Sequence, residues 1–306
     1  MKKQGFLSLL RTNKILLLIL LPSVIYVIVF SYIPMAGIVL AFKSFNYVDG
    51  IFGSPWAGLD NFRYLIISGK LWPLTRNTIF YNLAFILIGM VFEISAAIFL
   101  SEITKKYFKK ISQSAMILPY FISWVVVSSL MMNIFGYEYG VLNSVLRSLS
   151  LEPVNIYGNP STWPLMMIAL RLWKTTGYGS VIYLAAISSI SQEMYEAADI
   201  DGASVWRKAF SITLPCLKPT AIILLLLAIG QIFRGDFGMF YQIVKNNQLL
   251  LGSSDIIDTF VYRSLINSPD IGMSAAAGFY QSIMCFVTVI VANYTVKKIQ
   301  PDYSLF

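Results

Sequence analysis

The sequence predicts an all-α, polytopic membrane protein with six transmembrane helices. Three observations lead there. Hydrophobic residues make up 57% of the 306-residue chain and charged residues only 12%, about half the ~25% of a soluble domain. Apolar runs recur at the ~20-residue length that crosses the hydrocarbon core of a bilayer. Short lysine-bearing segments alternate with longer segments rich in Gly, Pro and Asn, the asymmetry that orients membrane helices.

Composition also removes function classes. A net charge of +8 in a soluble protein would point to nucleic acid. Here the positive residues sit beside apolar runs, so the expected partner is the lipid bilayer and no nucleic acid. Two cysteines, Cys216 and Cys285, and no histidine leave neither a disulfide framework nor a metal cluster to expect. The commonest general base is missing as well. No GxxxxGK[ST] phosphate loop occurs, so an ATP-driven function needs a partner. No catalytic residue, cofactor or metal is expected.

The elements follow in order. Met1 to Lys14 is a basic start with Lys2, Lys3, Arg11 and Lys14. The first span, Ile15 to Ile33, continues past Pro34 and is too long for the ~7–15-residue core of a signal peptide. Lys43 to Arg76 reads as external, with Trp56, Phe62 and Tyr64 as headgroup anchors. Residues 1–76 thus form a leading unit before the domain proper at 77–298. The second span, Asn77 to Leu100, contains Glu93. An ionisable group there faces protein or water. It reads as a pore or gate residue or as a buried interhelical hydrogen bond, and the second is preferred because no partner can be named.

Four lysines in Glu102 to Gln113 mark the cytoplasmic side. The third span, Ser114 to Ile134, carries Pro119 as a kink or early-turn proline. An external loop with a short helix at Val141 to Leu149 leads to the fourth span, Trp163 to Ile190. Arg171, Trp173, Lys174, Thr175, Thr176 and Tyr178 make its middle the most polar intramembrane stretch. Such a cluster should face a water-filled path or a protein partner. The fifth span starts at Thr220, reaches about Phe233, and reads as continuing through RGDFGMFYQIV, with Gln231 at membrane depth. The last external segment, Lys245 to Ile271, includes Pro269. The sixth span, Gly272 to Val296, carries the small residues Ala275 to Gly278 for close helix contact, and 299–306 is a cytoplasmic tail. Thirteen Lys and Arg fall in the segments assigned inside and eight in those outside. Both termini are therefore placed in the cytoplasm of a multi-pass protein in the cell membrane.

Between the fourth and fifth spans lies SQEMYEAADIDGASVWRKAFSITLPCLKP, Ser191 to Pro219. Ser191 suits an N-cap, with Glu193 and Glu196 near the positive end of the helix dipole. Gly202 breaks the helix where a turn is needed. Val205, Trp206, Ala209, Phe210 and Ile212 give a second amphipathic helix one apolar side. Leu214, Pro215 and Pro219 are expected to end it.

Glu196, Ala197, Ala198, Gly202, Ile212, Leu214 and Pro215, at this spacing, resemble the complete EAA loop of ABC-importer permeases. The piece Gly58 to Phe62 is similar to a segment of sugar-importer permeases, as are the proline-kinked third span and the polar fourth. The resemblance implies a type I ABC importer transmembrane domain of the carbohydrate-uptake branch. It further implies a heterodimer with a second permease, two ATP-binding subunits docked on the EAA loops, and an extracellular or periplasmic solute-binding protein. In that picture Glu196 fixes the coupling helix, Gly202 its turn, and Ala197 and Ala198 its close approach. Sugar recognition uses aromatic faces beside planar hydrogen-bonding groups, so Arg171, Trp173, Tyr178 and Gln231 are the candidates for the substrate path. A permease for an amino acid, peptide or phosphate-type solute is the alternative within the family. An ion-gradient transporter would show paired repeats, and none is evident. A membrane enzyme using Glu93 or Asp236 lacks an arranged nucleophile and base.

Overall fold

The computed structural model describes residues 14–267 and 270–299. The basic start before Lys14, Pro269 and the tail expected at 299–306 lie outside the described residues, except for the backbone of Ile299. Among the described residues the chain is helical, with no strand beyond an isolated antiparallel bridge between Lys43 and Trp56.

Four helices are long and apolar enough to cross a membrane. They are α1 (Lys14–Phe42), α3 (Leu71–Glu102), α9 (Val205–Ile229) and α13 (Ile271–Ile299). A short helix α2 (Asp60–Ile67) precedes α3. Helices α4 (Lys106–Phe121) and α5 (Trp124–Phe135) pass together as a fifth, bent by 95°. Helix α6 (Val141–Ser148) lies in the following loop. Helix α7 (Trp163–Ser188) has the length, 26 residues, but carries Arg171 and Lys174 in its middle. Helix α8 (Gln192–Ile200) precedes α9, and α10 (Phe237–Val244), α11 (Gln248–Ser254) and α12 (Ile257–Asn267) lead to α13.

In hydrocarbon, apolar residues gain little by leaving lipid for protein, so helix association rests on close packing and interhelical hydrogen bonds. The tightest pair is α3 with α7. Ala97 and Leu100 pack there against Tyr183, Leu184 and Ile187, with Leu217 of α9 closing the cluster. Gly177 brings α7 onto α4, since a Cβ there would lie 1.8 Å from the Met116 carbonyl oxygen. A second cluster joins Tyr81, Met131, Trp163, Met167 and Phe240 toward the opposite end. Ala276 and Ala277 of α13 are buried, in keeping with a small-residue contact face. The residues of α1 before its last turns are unburied. Those turns dock by Phe42, whose ring lies 5.4 Å from Phe62 and 5.5 Å from Phe279. Phe62 is thus an inter-helix contact rather than the headgroup anchor expected.

Broken helices need their backbone groups satisfied locally where no water reaches. At the α4–α5 bend, led by Pro119 in a 3-10 turn, the Lys174 ammonium donates to the carbonyls of Pro119 (3.2 Å), Tyr120 (2.8 Å) and Ile122. Lys174 is therefore buried under a helix end instead of facing a water path. A second break follows α9. The reading that this helix runs on through RGDFGMFYQIV fails at Gly230, and α10 begins at Phe237. Asn82 donates to the Ile232 carbonyl at 3.0 Å and Gln281 to that of Phe233 at 2.6 Å. Asp258 accepts the Gly235 N–H at 2.8 Å, and Asp236 accepts that of Met239 at 3.0 Å. Every one of these partners comes from another part of the chain or caps the next helix.

The expected stop at Leu214 and Pro215 is also overturned. Helix α9 runs unbroken from Val205 to Ile229, with a π turn at Ala209–Thr213. An α-helical Ser211 carbonyl would need the N–H that Pro215 lacks. The wider turn, closed by the Leu214 N–H on the Ala209 carbonyl, accommodates that loss without a break.

Two substitutions test this packing. Gly177→Ala should cost about 1–3 kcal/mol by overpacking, read as a lower Tm in detergent, while Gly89→Ala, whose Cβ meets nothing within 4 Å, should be neutral. Lys174→Met should cost about 1–3 kcal/mol for orphaned buried carbonyls and raise hydrogen exchange at the α4–α5 bend.

Candidate functional site

Two features stand out, and α9 belongs to both. The first is the hairpin of α8 and the start of α9. Helix α8 ends in a Schellman pair: the Ala203 N–H bonds the Ala198 carbonyl at 2.9 Å and the Gly202 N–H bonds Asp199 at 3.1 Å. That geometry requires a left-handed residue between them, and Gly202 supplies φ +71°. Ser204 then caps α9 by accepting the Arg207 N–H at 3.3 Å. The arms are tied by Lys208–Asp199 at 2.8 Å and by the Tyr195 and Thr213 hydroxyls at 2.9 Å. Ser191 occupies the N-cap position of α8, but its side chain makes no capping bond.

Within this hairpin Glu196, Ala197, Gly202 and Pro215 are exposed, while Ala198, Ile212 and Leu214 are half-buried. Apolar side chains face outward beside them. Ile200 is 87% exposed and Trp206 63%, with Phe210 close to that. Trp206 leans edge-on to Phe99 of α3 at 6.2 Å. The hairpin is thus internally braced and presents an uncovered apolar surface.

The second feature is a cavity of about 520 Å³ between α3, α7, α9 and the break that follows α9. Its polar lining includes Asn82, Glu93, Arg171, Thr175, Gln231 and Arg234, together with Asp236. Arg171 and Gln231 are therefore brought together. Trp173 and Tyr178 do not line this space. Trp173 is half-exposed on α7, and Tyr178 stacks on Tyr120 with centroids 4.0 Å apart and planes at 7°.

Arg171 donates to Asp236 at 2.6 Å, and Asp236 also accepts from the Trp124 indole at 3.1 Å. With its cap on α10, Asp236 joins three elements. Sequence reasoning set it aside. The available signal was an acidic residue in a Gly-flanked break directly after an apolar run, which calls for a named partner at membrane depth. Behind the break, burial raises the Asp258 carboxyl above its ordinary range, opposed by the Gly235 N–H, by Gln281 and by the Arg234 charge.

Glu93 corrects a second expectation. Its carboxylate faces the cavity, and among the described residues it has no hydrogen-bond donor; the preferred interhelical bond is not made. It lies on the backbone of α7 where Gly179 leaves room, since a Cβ at Gly179 would sit 2.2 Å from the carboxyl carbon. Arg171 lines the same cavity and bonds Asp236, not Glu93.

Residues 86–301 match the family described as binding-protein-dependent transport system inner membrane component. Protein LplB of Bacillus subtilis (strain 168) is 32% identical over 97% of this chain and 93% of its own. The polygalacturonan/rhamnogalacturonan transport system permease protein YteP of the same organism is 32% identical, covering 97% and 92%. A crystal structure of a bacterial ABC transporter involved in the import of the acidic polysaccharide alginate superposes with a TM-score of 0.86 at 30% identity, covering 97% of this chain and 100% of that one. The fold, the sequence and the extent of the match agree, and the chain belongs to the inner-membrane component family of binding-protein-dependent transport systems.

Proposed function

We propose that the chain is one of two permease subunits in an ATP-driven importer of a sugar, with an oligosaccharide as the cargo class. The observation that carries this reading is the continuity of α9. One helix holds Trp206 in the exposed hairpin and Leu224, Leu225 and Ala228 in the cavity wall. At 1.5 Å per residue, the 18 positions from Trp206 to Leu224 span about 27 Å. A force applied to the hairpin therefore reaches the cavity through a single rigid element, the kind of rigid-body coupling that alternating access uses.

On this reading α7 is the sixth span, completed by α1, α3, the α4–α5 pair, α9 and α13, with both termini in the cytoplasm of a multi-pass cell-membrane protein. The hairpin then faces the cytoplasm, where Glu196, Ala197, Ala198 and Gly202 seat it on an ATP-binding subunit. Ile212, Leu214 and Pro215 set the start of the lever. Two such ATPases close on ATP and hydrolyse it, since this chain supplies no nucleotide site. An extracellular or periplasmic binding protein delivers cargo to the path shared with the second permease. Arg171 and Gln231 line that path from this side, and Trp173 and Tyr178 reach it from surfaces outside the cavity. The names of the relatives support a carbohydrate over an amino acid, peptide or phosphate-type solute.

The test is ATPase activity of the complex in nanodiscs, with the binding protein and a panel of mono- and oligosaccharides, for wild type and Glu196→Ala. Stimulation by a glycan, lost in the variant, is expected. Stimulation by a non-sugar solute alone would replace the cargo assignment. Gly202→Val places a branched residue at φ +71°, a strain of roughly 1–2 kcal/mol confined to the turn. We expect hydrolysis to proceed in that variant while uptake falls by about tenfold or more, with normal membrane insertion; uptake at the wild-type rate would contradict the role given to the turn.

A further inference from the structure

We propose that Glu93 is a cargo-contacting residue that selects uncharged, hydroxyl-rich glycans over acidic ones, an inference that rests on the sugar-importer reading above. Four Asp, Glu and Arg side chains line the cavity: Glu93, Arg171, Arg234 and Asp236. Arg171 and Asp236 neutralise each other at 2.6 Å, and the remaining Asp236 acceptor capacity goes to Trp124 and Met239. Arg234 lies at the break, where its charge acts on Asp258. Of the other polar liners, Asn82 and Thr175 are engaged, and the exposed Gln231 makes no side-chain hydrogen bond among the described residues. Asn82 donates to the Thr78 and Ile232 carbonyls, and Thr175 donates to that of Arg171.

Glu93 is different. An ionised carboxylate can only accept, with about four lone-pair directions, and among the described residues nothing donates to it. Two vicinal hydroxyls of a sugar ring are donors at the spacing of its two oxygens. The niche is built for that acid: Gly179 removes the one side chain that would displace the carboxyl group, and the α3–α7 packing holds it against the α7 backbone. Tyr183, one turn further along α7, lines the same end. A uronate entering this end would bring a second carboxylate against Glu93, and such like-charge contact is the repulsive element on which specificity depends. Membership of the family leaves this choice open, since YteP and the alginate importer are named for acidic polymers while other relatives are named for trehalose/maltose and for arabinooligosaccharides.

The experiment measures equilibrium binding to the complete nanodisc complex, without nucleotide or binding protein. The probes are maltotriose, xylotriose and arabinotriose on the neutral side and trigalacturonate on the acidic side. Wild type should bind at least one neutral trisaccharide about tenfold tighter than trigalacturonate. Glu93→Gln keeps the shape and removes the charge, and it should bring that ratio below about threefold, chiefly by tighter binding of the uronate. Glu93→Ala should weaken the neutral sugars. Retained assembly of the complex and an unchanged Tm show that each variant is folded. A ratio unchanged in Glu93→Gln, or trigalacturonate bound as tightly as neutral sugars by wild type, overturns the role of Glu93 and leaves the sugar path standing. Binding of no trisaccharide by an intact, hydrolysing complex would overturn the sugar path itself and Glu93 with it.

Discussion

The constraint that governs this molecule is that a helix interrupted inside a membrane exposes amide and carbonyl groups that lipid cannot satisfy. The chain interrupts its helices at the α4–α5 bend and again after α9. Side chains of α7 reach both interruptions, while α3, α12 and α13 supply the bonds that satisfy the backbone of the second. Lys174 gathers the carbonyls at the bend, and Arg171, one turn away, holds the aspartate that caps α10. Two cations in the middle of a 26-residue helix, costly if they face lipid, are each held by a segment at a break. The cavity opens beside the second break, with Arg234, Gly235 and Asp236 in its wall.

Much of the fold is legible in the residues. Apolar run length places the ends of α13 within three positions and those of α3 within six, while α1 runs nine residues past Ile33; Pro119 marks a bend that the structure shows as 95°. The turn at Gly202 is readable because a left-handed residue after a short helix is a local requirement. What fails is long-range. Lys174 meets its carbonyls 52 to 55 residues away in the chain, and Arg171 meets Asp236 at a separation of 65. No periodicity within a helix encodes such a pairing. Proline was misleading for a different reason. Pro215 and Pro219 are ordinarily helix breakers, yet a π turn precedes Pro215 and α9 passes through both.

The site divides in the same way. The hairpin is a local construction, and each of its parts can be seen in the sequence as a cap, a turn or an amphipathic face. The cavity is assembled from distant segments. Hydropathy pointed to Arg171 and Gln231 because polar residues at membrane depth are conspicuous. It gave no reason to prefer the open face of Glu93 over a buried bond, because the space that Gly179 leaves for the carboxylate lies on another helix. Asp236 was passed over because it was weighed as a chemical group when its work is mechanical.

The π turn in α9 has an angular consequence. An α-helix advances about 100° per residue, so one residue absorbed in a wide turn rotates everything beyond it by that amount relative to an unbroken helix. The turn at Ala209–Thr213 sits between the exposed face of Trp206 and the cavity wall at Leu224. It therefore sets the phase between the surface that receives a push and the surface that lines the path. In a chain with a regular turn there, the same apolar residues would point a quarter-turn and more away from where they now stand, though the helix would span the same membrane.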